Sequence, residues 1–529
     1  MGTRVNLDAM IQRADFATAD GEYTMDLFQN FTVSNLEPGS PVRQLLRKPD
    51  FQRETYHWTP TQVATFLASF LDNELIPSLI LWKSQSFIFV IDGGHRLSAL
   101  RAWIEDDYGD GPISRSFYGD GISDEQKRNA KKTRTLVESK VGRFAKMKGV
   151  VANNVNGSEA EIKRAHLLFT RGLNLQWVQG TASVAESSFF KINSQGTPLD
   201  DTEELLLRNR KKPIAIGARA VVRSGSGHKY WSAFSPERQR DIEQAAEQLH
   251  RVIFKPEVDS PVKTLDLPLG GSVSPIDALS LLLEFLSICD SSQQVIKGVA
   301  SYPDDEDGSA TATVLRNAAS VARRITGNEK GSLGLHPAVY FYNERGKHSR
   351  FLFLGMALLL SRKIRDNDGG FFMKFTKARA EMESFLVENK SLIGILLQNM
   401  SKQTRVTKMR DLFDFLVTKF YERALSVANS TPLPPIVSIE SAIEHLGARG
   451  RILDIKTAAT SVTFSEEAKS AVYVRKAIAT AMKCSICGGL LDATKSVSYD
   501  HVTRVREGGL GDPENGDLVH PYCNQSVKN

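Results

Sequence analysis

Between Thr59 and Pro77 the apolar residues Val63, Phe66, Leu67, Phe70 and Leu71 recur at helical spacing, after a Thr-Pro start signal and before a proline that forbids continuation. The pattern predicts one amphipathic helix. Two short apolar runs follow, SLILW at 78–82 and FIFVI at 87–91, joined by the polar KSQS, and they predict paired strands. The second run leads into Asp92, Gly93, Gly94, His95 and Arg96, after which Leu97, Leu100, Ala102 and Ile104 continue as a helix. The glycines therefore sit at a strand-to-helix junction. Residues 189–207 read as a helix end, a Gly and Pro turn, and a new helix started by Asp200 or Asp201.

From about Glu237 to Leu425 the repeats in DALSLLLEFL, FLFLGMALLL and RDLFDFLVTKF predict a mainly helical region. The proline-dense STPLPPIVS at 430–438 predicts a linker, and a further helical stretch ends near Met482. The expected architecture is an α+β multidomain chain: an α/β domain over 1–215, a helical middle over 216–430, a linker and helix over 431–480, and a small module over 481–529.

Composition narrows this only a little. With 41% hydrophobic and 24% charged residues among 529, the chain is an ordinary globular one, which excludes wholesale disorder and fibrous classes. The opening MGTRVNLDAM lacks a basic start followed by an apolar stretch, and the best apolar run, Phe351 to Leu360, is about half of the ~20 residues a membrane span needs. A cytoplasmic protein with no membrane partner is the expectation. The net charge of +6 permits a polyanionic partner without requiring one. The basic stretch 126–149 is compatible with lining a phosphate backbone and equally with a solvated helix face. A homo-oligomer remains open.

The cysteines are more informative. Cys289 lies alone in an apolar helical segment and reads as a core residue, whereas Cys484, Cys487 and Cys523 cluster near one end, as metal ligands do in a reducing compartment. Cys484 with Cys487 and His520 with Cys523 form two knuckles of identical spacing that can close tetrahedrally on one structural Zn²⁺. A module of ~45 residues cannot bury enough apolar surface to hold itself together, and a structural zinc supplies about 10 to 16 kcal/mol of apparent binding free energy. On these four ligands alone, a zinc ribbon with no chemistry and a catalytic module are both open.

The rest of the segment adds Tyr499, Asp500 and His501, then Gly508 and Gly509, Asn515, and Asn524 directly after Cys523. In this it resembles the HNH endonuclease family, with its ββα-metal fold. The resemblance implies that His501 is the general base, that Asp500 and Asn524 hold a catalytic Mg²⁺ or Mn²⁺, and that Asn515 orients the His501 ring. An imidazole with an ordinary pKa near 6.5 is mostly neutral at cytoplasmic pH and can accept a proton from water. Asn524 stands where many relatives carry histidine, and His520 where a cysteine is commoner. Lys528 can reach phosphate, but as a residue close to the C-terminus it reads as frayed.

A second resemblance rests on PDFQRETYHW, the 59–77 helix, IDGGHRLSAL and FFKINSQGTPLD, and spans roughly the first 210 residues. Together these resemble the ParB-like domain family marked by a DGQQR box, which serves GmrSD-type modification-dependent restriction systems and SspE defence proteins. The resemblance implies binding and hydrolysis of a nucleoside triphosphate around Asp92, Gly93, Gly94, His95 and Arg96, with Gln52 and Arg53 nearby and Asn193 and Gly196 in a second box. Read physically, the glycines permit close backbone approach, the helix N-terminus favours an anion, and Arg96 can fork onto phosphate oxygens. Asp92 and Arg96 can equally form a structural ion pair, and His95 can act as a base or satisfy a core hydrogen bond. Gly94 and His95 replace the two glutamines of the box, which bears on hydrolysis more than on binding.

The expected function is therefore a metal-dependent HNH endonuclease that cuts or nicks DNA, phage or modified DNA included, under control of a nucleotide-binding domain in anti-phage defence or modification-dependent restriction. The rivals are a non-enzymatic zinc-ribbon or partition-like DNA-binding regulator, and a toxin or mobile-element nuclease with no sensing role.

Overall fold

A computed structural model describes residues 4–14, 16, 28–52, 54–119, 122–152, 157–195, 200–271, 275–290, 296–398, 400–401, 403–447 and 462–528. The chain divides into two compact units, Met1–Arg210 with Ser226–Ala233, and Lys211–Gly225 with Phe234–Asn529.

The first unit is built on a six-stranded mixed sheet of β1 (Arg13–Ala14), β2 (Asn30–Thr32), β3 (Leu46–Pro49), β4 (Leu79–Lys83), β5 (Ile88–Asp92) and β6 (Gly172–Val178), in the order β1-β3-β5-β4-β6-β2. β4 and β5 pair antiparallel with a register shift at Ile80/Leu81, while β3 pairs parallel with β5, and β6 with β4. Alternation along the strands loads both faces. Leu79, Leu81, Ile88 and Val90 enter one core with Val63, Leu67 and Phe70 of α1 (Pro60–Leu71) and Leu97 and Trp103 of α2 (Gly94–Glu105). Trp82, Phe89 and Ile91 enter a second core with Phe16, Phe51 and Phe189, the last from α3 (Ala182–Gln195), and Leu207 of α4 (Asp201–Arg208).

The expected helix after Thr59 forms with a full capping box, Thr59 accepting from the Gln62 amide and Gln62 answering at the Thr59 N–H. It stops at Leu71, well before Pro77, because Asp72 caps it and Asn73 turns left-handed at φ 61°. Asp200 is the N-cap of α4, accepting from Thr202 and Glu203. The basic stretch 126–149 divides between the helices Asp124–Lys140 and Phe144–Val151.

The second unit is mostly helical. Its main members include α5 (Pro275–Asp290), which buries Cys289, α6 (Arg350–Arg365), α7 (Gly369–Glu388), α8 (Lys390–Gln398) and α9 (Arg405–Ala428). The same unit contains a two-stranded antiparallel hairpin, β7 (Ser498–His501) with β8 (Gly516–Val519), followed by a short helical segment, Cys523–Val527. Among the described residues no helix is long and apolar enough to cross a membrane.

Candidate functional site

The Cys484, Cys487, His520 and Cys523 ligand atoms all lie within 4.8 Å of one another. A tetrahedral zinc with Zn–S near 2.3 Å sets its ligands roughly 3.7 Å apart, so the set fits that ion with little movement. The imidazole is already oriented: His520 Nε2 lies 3.1 Å from the Leu490 carbonyl, as a donor would, and Nδ1 faces the Cys487 sulfur at 3.3 Å. Cys484, Cys523 and His520 are almost fully buried. Hydrogen bonds from Cys487 and Cys523 hold the Cys484 thiol far below its usual range, and the same contacts with Cys484 push Cys487 up to about 11 and Cys523 higher. Three thiols this close cannot all ionise unless a cation joins them.

The knuckle is fastened to the helices by a buried ion pair. Arg379 and Glu383 of α7 meet at 2.6 Å with both side chains about 2% exposed. Glu383 accepts from the Leu490 N–H at 2.6 Å and from the Tyr340 hydroxyl at 2.9 Å, and Arg379 donates to the Leu333 and Gly334 carbonyls. The guanidinium runs so close to Gly489 that a Cβ there would meet Arg379 Nε at 2.5 Å.

Strand β7 presents Asp500 and His501, with Asp500 opposite Asp517 and His501 opposite Gly516. Asn524 is laid against the same strand, donating to Ser498 Oγ at 2.8 Å and to the Tyr499 carbonyl at 3.1 Å. Asn515 bonds loop backbone: it accepts from the Thr503 N–H at 2.7 Å and donates to the carbonyls of Thr503 and Leu510. It thus acts on the connection that follows His501, whose closure also needs Gly509, since a Cβ there would lie 1.9 Å from the Thr503 oxygen. Lys528, expected to be frayed, is anchored. Its ammonium meets Asp500 Oδ2 at 2.6 Å and donates to the His501 carbonyl at 2.6 Å, while Arg504 holds its carbonyl at 2.8 Å.

At the β5–α2 junction Gly93 is left-handed at φ 97° and offers no side chain to cap α2, and a Cβ there would strike Leu79 at 2.3 Å. Arg96 pairs with Asp92 at 2.5 Å and donates to the Pro77 and Ser78 carbonyls, so its fork is engaged within the fold. Gln52 lies against Gly94 and donates to the Ile91 carbonyl at 3.3 Å, but its Oε1 is buried and has no hydrogen-bond partner among the described residues. An orphaned buried acceptor asks for a donor from a ligand, such as a hydroxyl or base N–H, while the uncapped N–H groups of α2 suit phosphate. The donor set therefore fits a nucleotide. His95 accepts from the His57 N–H at 3.4 Å and stacks on Trp58, and His57 in turn meets Glu203 at 2.8 Å. Arg53 and Gly196 fall outside the described residues, and of Asn193 only its place in α3 is described.

Beneath Gln52 runs a buried charge network invisible in the sequence. Asp8 Oδ1 accepts from Arg13 at 2.7 Å and Lys48 at 2.6 Å, and Arg13 reaches the Gln52 carbonyl at 2.6 Å. Burial lowers the Lys48 pKa to about 8 against the opposing pull of Asp8.

Residues 33–210 match the family model for the GmrSD restriction endonuclease N-terminal domain. The match relates the chain to GmrSD-type restriction endonucleases and makes DNA the implied partner. It covers the sheet from β3 onward, the Gln52 segment, the β5–α2 junction and α4, and it stops short of the cysteine cluster and hairpin. No curated protein and no solved structure matches the chain.

Proposed function

We propose that this GmrSD-type protein is a metal-dependent endonuclease of the HNH class that cuts or nicks DNA, controlled by nucleotide bound at the β5–α2 junction. The observation that carries the reading is the hairpin and helical segment built over the Cys3His cluster, with Asp500, His501 and Asn524 gathered on and beside β7. In this reading the zinc cluster is structural, and it holds the His520–Cys523 knuckle, and with it Asn524, against the strand. His501 removes the proton from the attacking water. Asp500 and the Asn524 carboxamide oxygen hold Mg²⁺ or Mn²⁺, which when bound offsets the charge that develops on the scissile phosphate. Lys528 pairs with Asp500 at 2.6 Å and would have to give way to a divalent ion held there. Asn515 positions His501 through the backbone that follows it.

The test is cleavage of supercoiled plasmid by the full chain with Mg²⁺ or Mn²⁺, with and without each nucleoside triphosphate. His501→Ala should lower the rate by about 10² to 10⁴ while zinc content stays unchanged. If folded, zinc-loaded protein leaves unmodified, modified and phage DNA intact in every condition, a zinc-binding regulator replaces the nuclease. If cleavage is unaffected by any nucleotide, the sensing role falls and a nuclease without it remains.

A further inference from the structure

The helical unit contains a cavity of about 290 Å³ remote in sequence from the hairpin, and its walls are unusually one-sided in charge. Arg350, Lys390 and Arg405 line it, and no Asp or Glu is among its lining residues. The N-terminus of α6 opens onto it: Ser349, Arg350, Phe351 and Leu352 are the N-cap and first turn, and the Ser349 side chain makes no capping bond. The positive end of a 16-residue helix is therefore unanswered by the protein at that point.

The two guanidiniums frame Phe351, with Arg405 5.1 Å and Arg350 5.9 Å from its ring centre. Arg405 is held by the Met400 and Gln398 carbonyls and has no carboxylate partner among the described residues. Arg350 pairs with Glu284 at 3.1 Å, yet its Nε is buried without a hydrogen-bond partner. Lys390 spends its three donors on the Ala338, Val339 and Tyr342 carbonyls, and burial lowers its pKa to about 7, so it offers neither a free hydrogen bond nor a full charge. The opposite wall is apolar, formed by Leu386, Ile393 and Leu397.

We propose that this cavity binds a small phosphate monoester, with its phosphate at the α6 N-terminus between Arg350 and Arg405 and its organic part against the Leu386–Leu397 wall. The buried, unpartnered Nε of Arg350 on one side, Nη1 of Arg405 on another and first-turn N–H groups on a third match a tetrahedral, three-oxygen anion better than a planar carboxylate. The volume lies at the low end of small-molecule sites, roughly 300 to 1,000 Å³, which admits a mononucleotide-sized molecule and excludes a polymer. The site gives the helical unit a chemical input of its own, built from residues other than those of the β5–α2 junction.

The experiment is calorimetric titration of the full chain with inorganic phosphate, phenyl phosphate and the four 5′-mononucleotides. Arg405→Gln removes one guanidinium. Gly394→Leu fills the cavity from α8, where an added Cβ meets no atom within 4 Å. At least one monoester should bind, inorganic phosphate should compete with it, and each variant should weaken it tenfold or more while Arg96→Ala leaves it unchanged. Preference for a mononucleotide over phenyl phosphate would assign a nucleotide source, and the reverse a non-nucleotide one. No binding at millimolar concentration, equal binding by Gly394→Leu, or loss confined to Arg96→Ala would overturn the proposal.

Discussion

The cysteine cluster and the β5–α2 junction differ in where their charges go. At the cluster, three thiols and an imidazole converge within 4.8 Å beside the Arg379 cation, a set that could hold a metal ion. At the junction, Asp92 and Arg96 satisfy one another, and among the described residues the Gln52 Oε1 is buried without a hydrogen-bond partner. The first arrangement would make a bound metal ion part of the local fold. The second would make a ligand an addition to a structure already in place.

The sharpest break of that contrast is metal removal. Chelation, or Cys484→Ser, should release the zinc and unfold the hairpin, a loss on the order of 10 kcal/mol, while the sheet of the first unit is retained. Zinc content and hydrogen exchange over 484–528 would read it. Next comes the buried clamp. Arg379→Met leaves Glu383 charged and alone, which should cost about 3 to 5 kcal/mol, and Arg379→Met with Glu383→Leu should recover much of that in urea melts.

Acid should separate the units more gently. Burial lowers the His348 pKa to about 4 from 6.5, and His250 moves the same way. The unfolded chain then binds a proton that the folded chain refuses between pH 6.5 and 4, so stability falls as pH drops through that window. For His348 the loss is about 3 kcal/mol at most, read as a smaller pH slope in His348→Gln. The smallest effects belong to the two candidate sites. Gln52→Leu should change stability by no more than about 1 kcal/mol yet abolish nucleotide binding, since the oxygen it removes has no internal partner. Lys528→Ala should lower the Mg²⁺ concentration needed for half-maximal cleavage, because its ammonium meets Asp500 at 2.6 Å.

What could be read from the sequence follows the range of each interaction. The Cys3His cluster was legible because each knuckle is four residues long and its spacing alone brings two possible ligands together. β4, β5 and α1 were legible from local alternation and a Thr59–Gln62 cap. β1, β2, β3 and β6 were not, because two- to seven-residue strands paired across long loops carry little periodicity of their own. The Asp8–Arg13–Lys48 network was hidden for the same reason. Arg379 and Glu383 stand four apart on a helix, a spacing identical to that of countless solvated pairs, and only burial tells them apart. Lys528 was set aside for its position in the chain, which says nothing of the Arg504 bond that holds it.

The closeness of Arg379 to Gly489 bears on how the Cys3His hairpin could be moved between proteins. A hairpin whose metal knuckle donates Leu490 N–H to Glu383 and leaves a glycine-sized gap for a guanidinium has a lock cut for one key. Grafting residues 481–528 onto another protein would transfer the Cys3His set and the Asp-His pair but leave that gap unfilled. A working chimera would have to bring α7 with it.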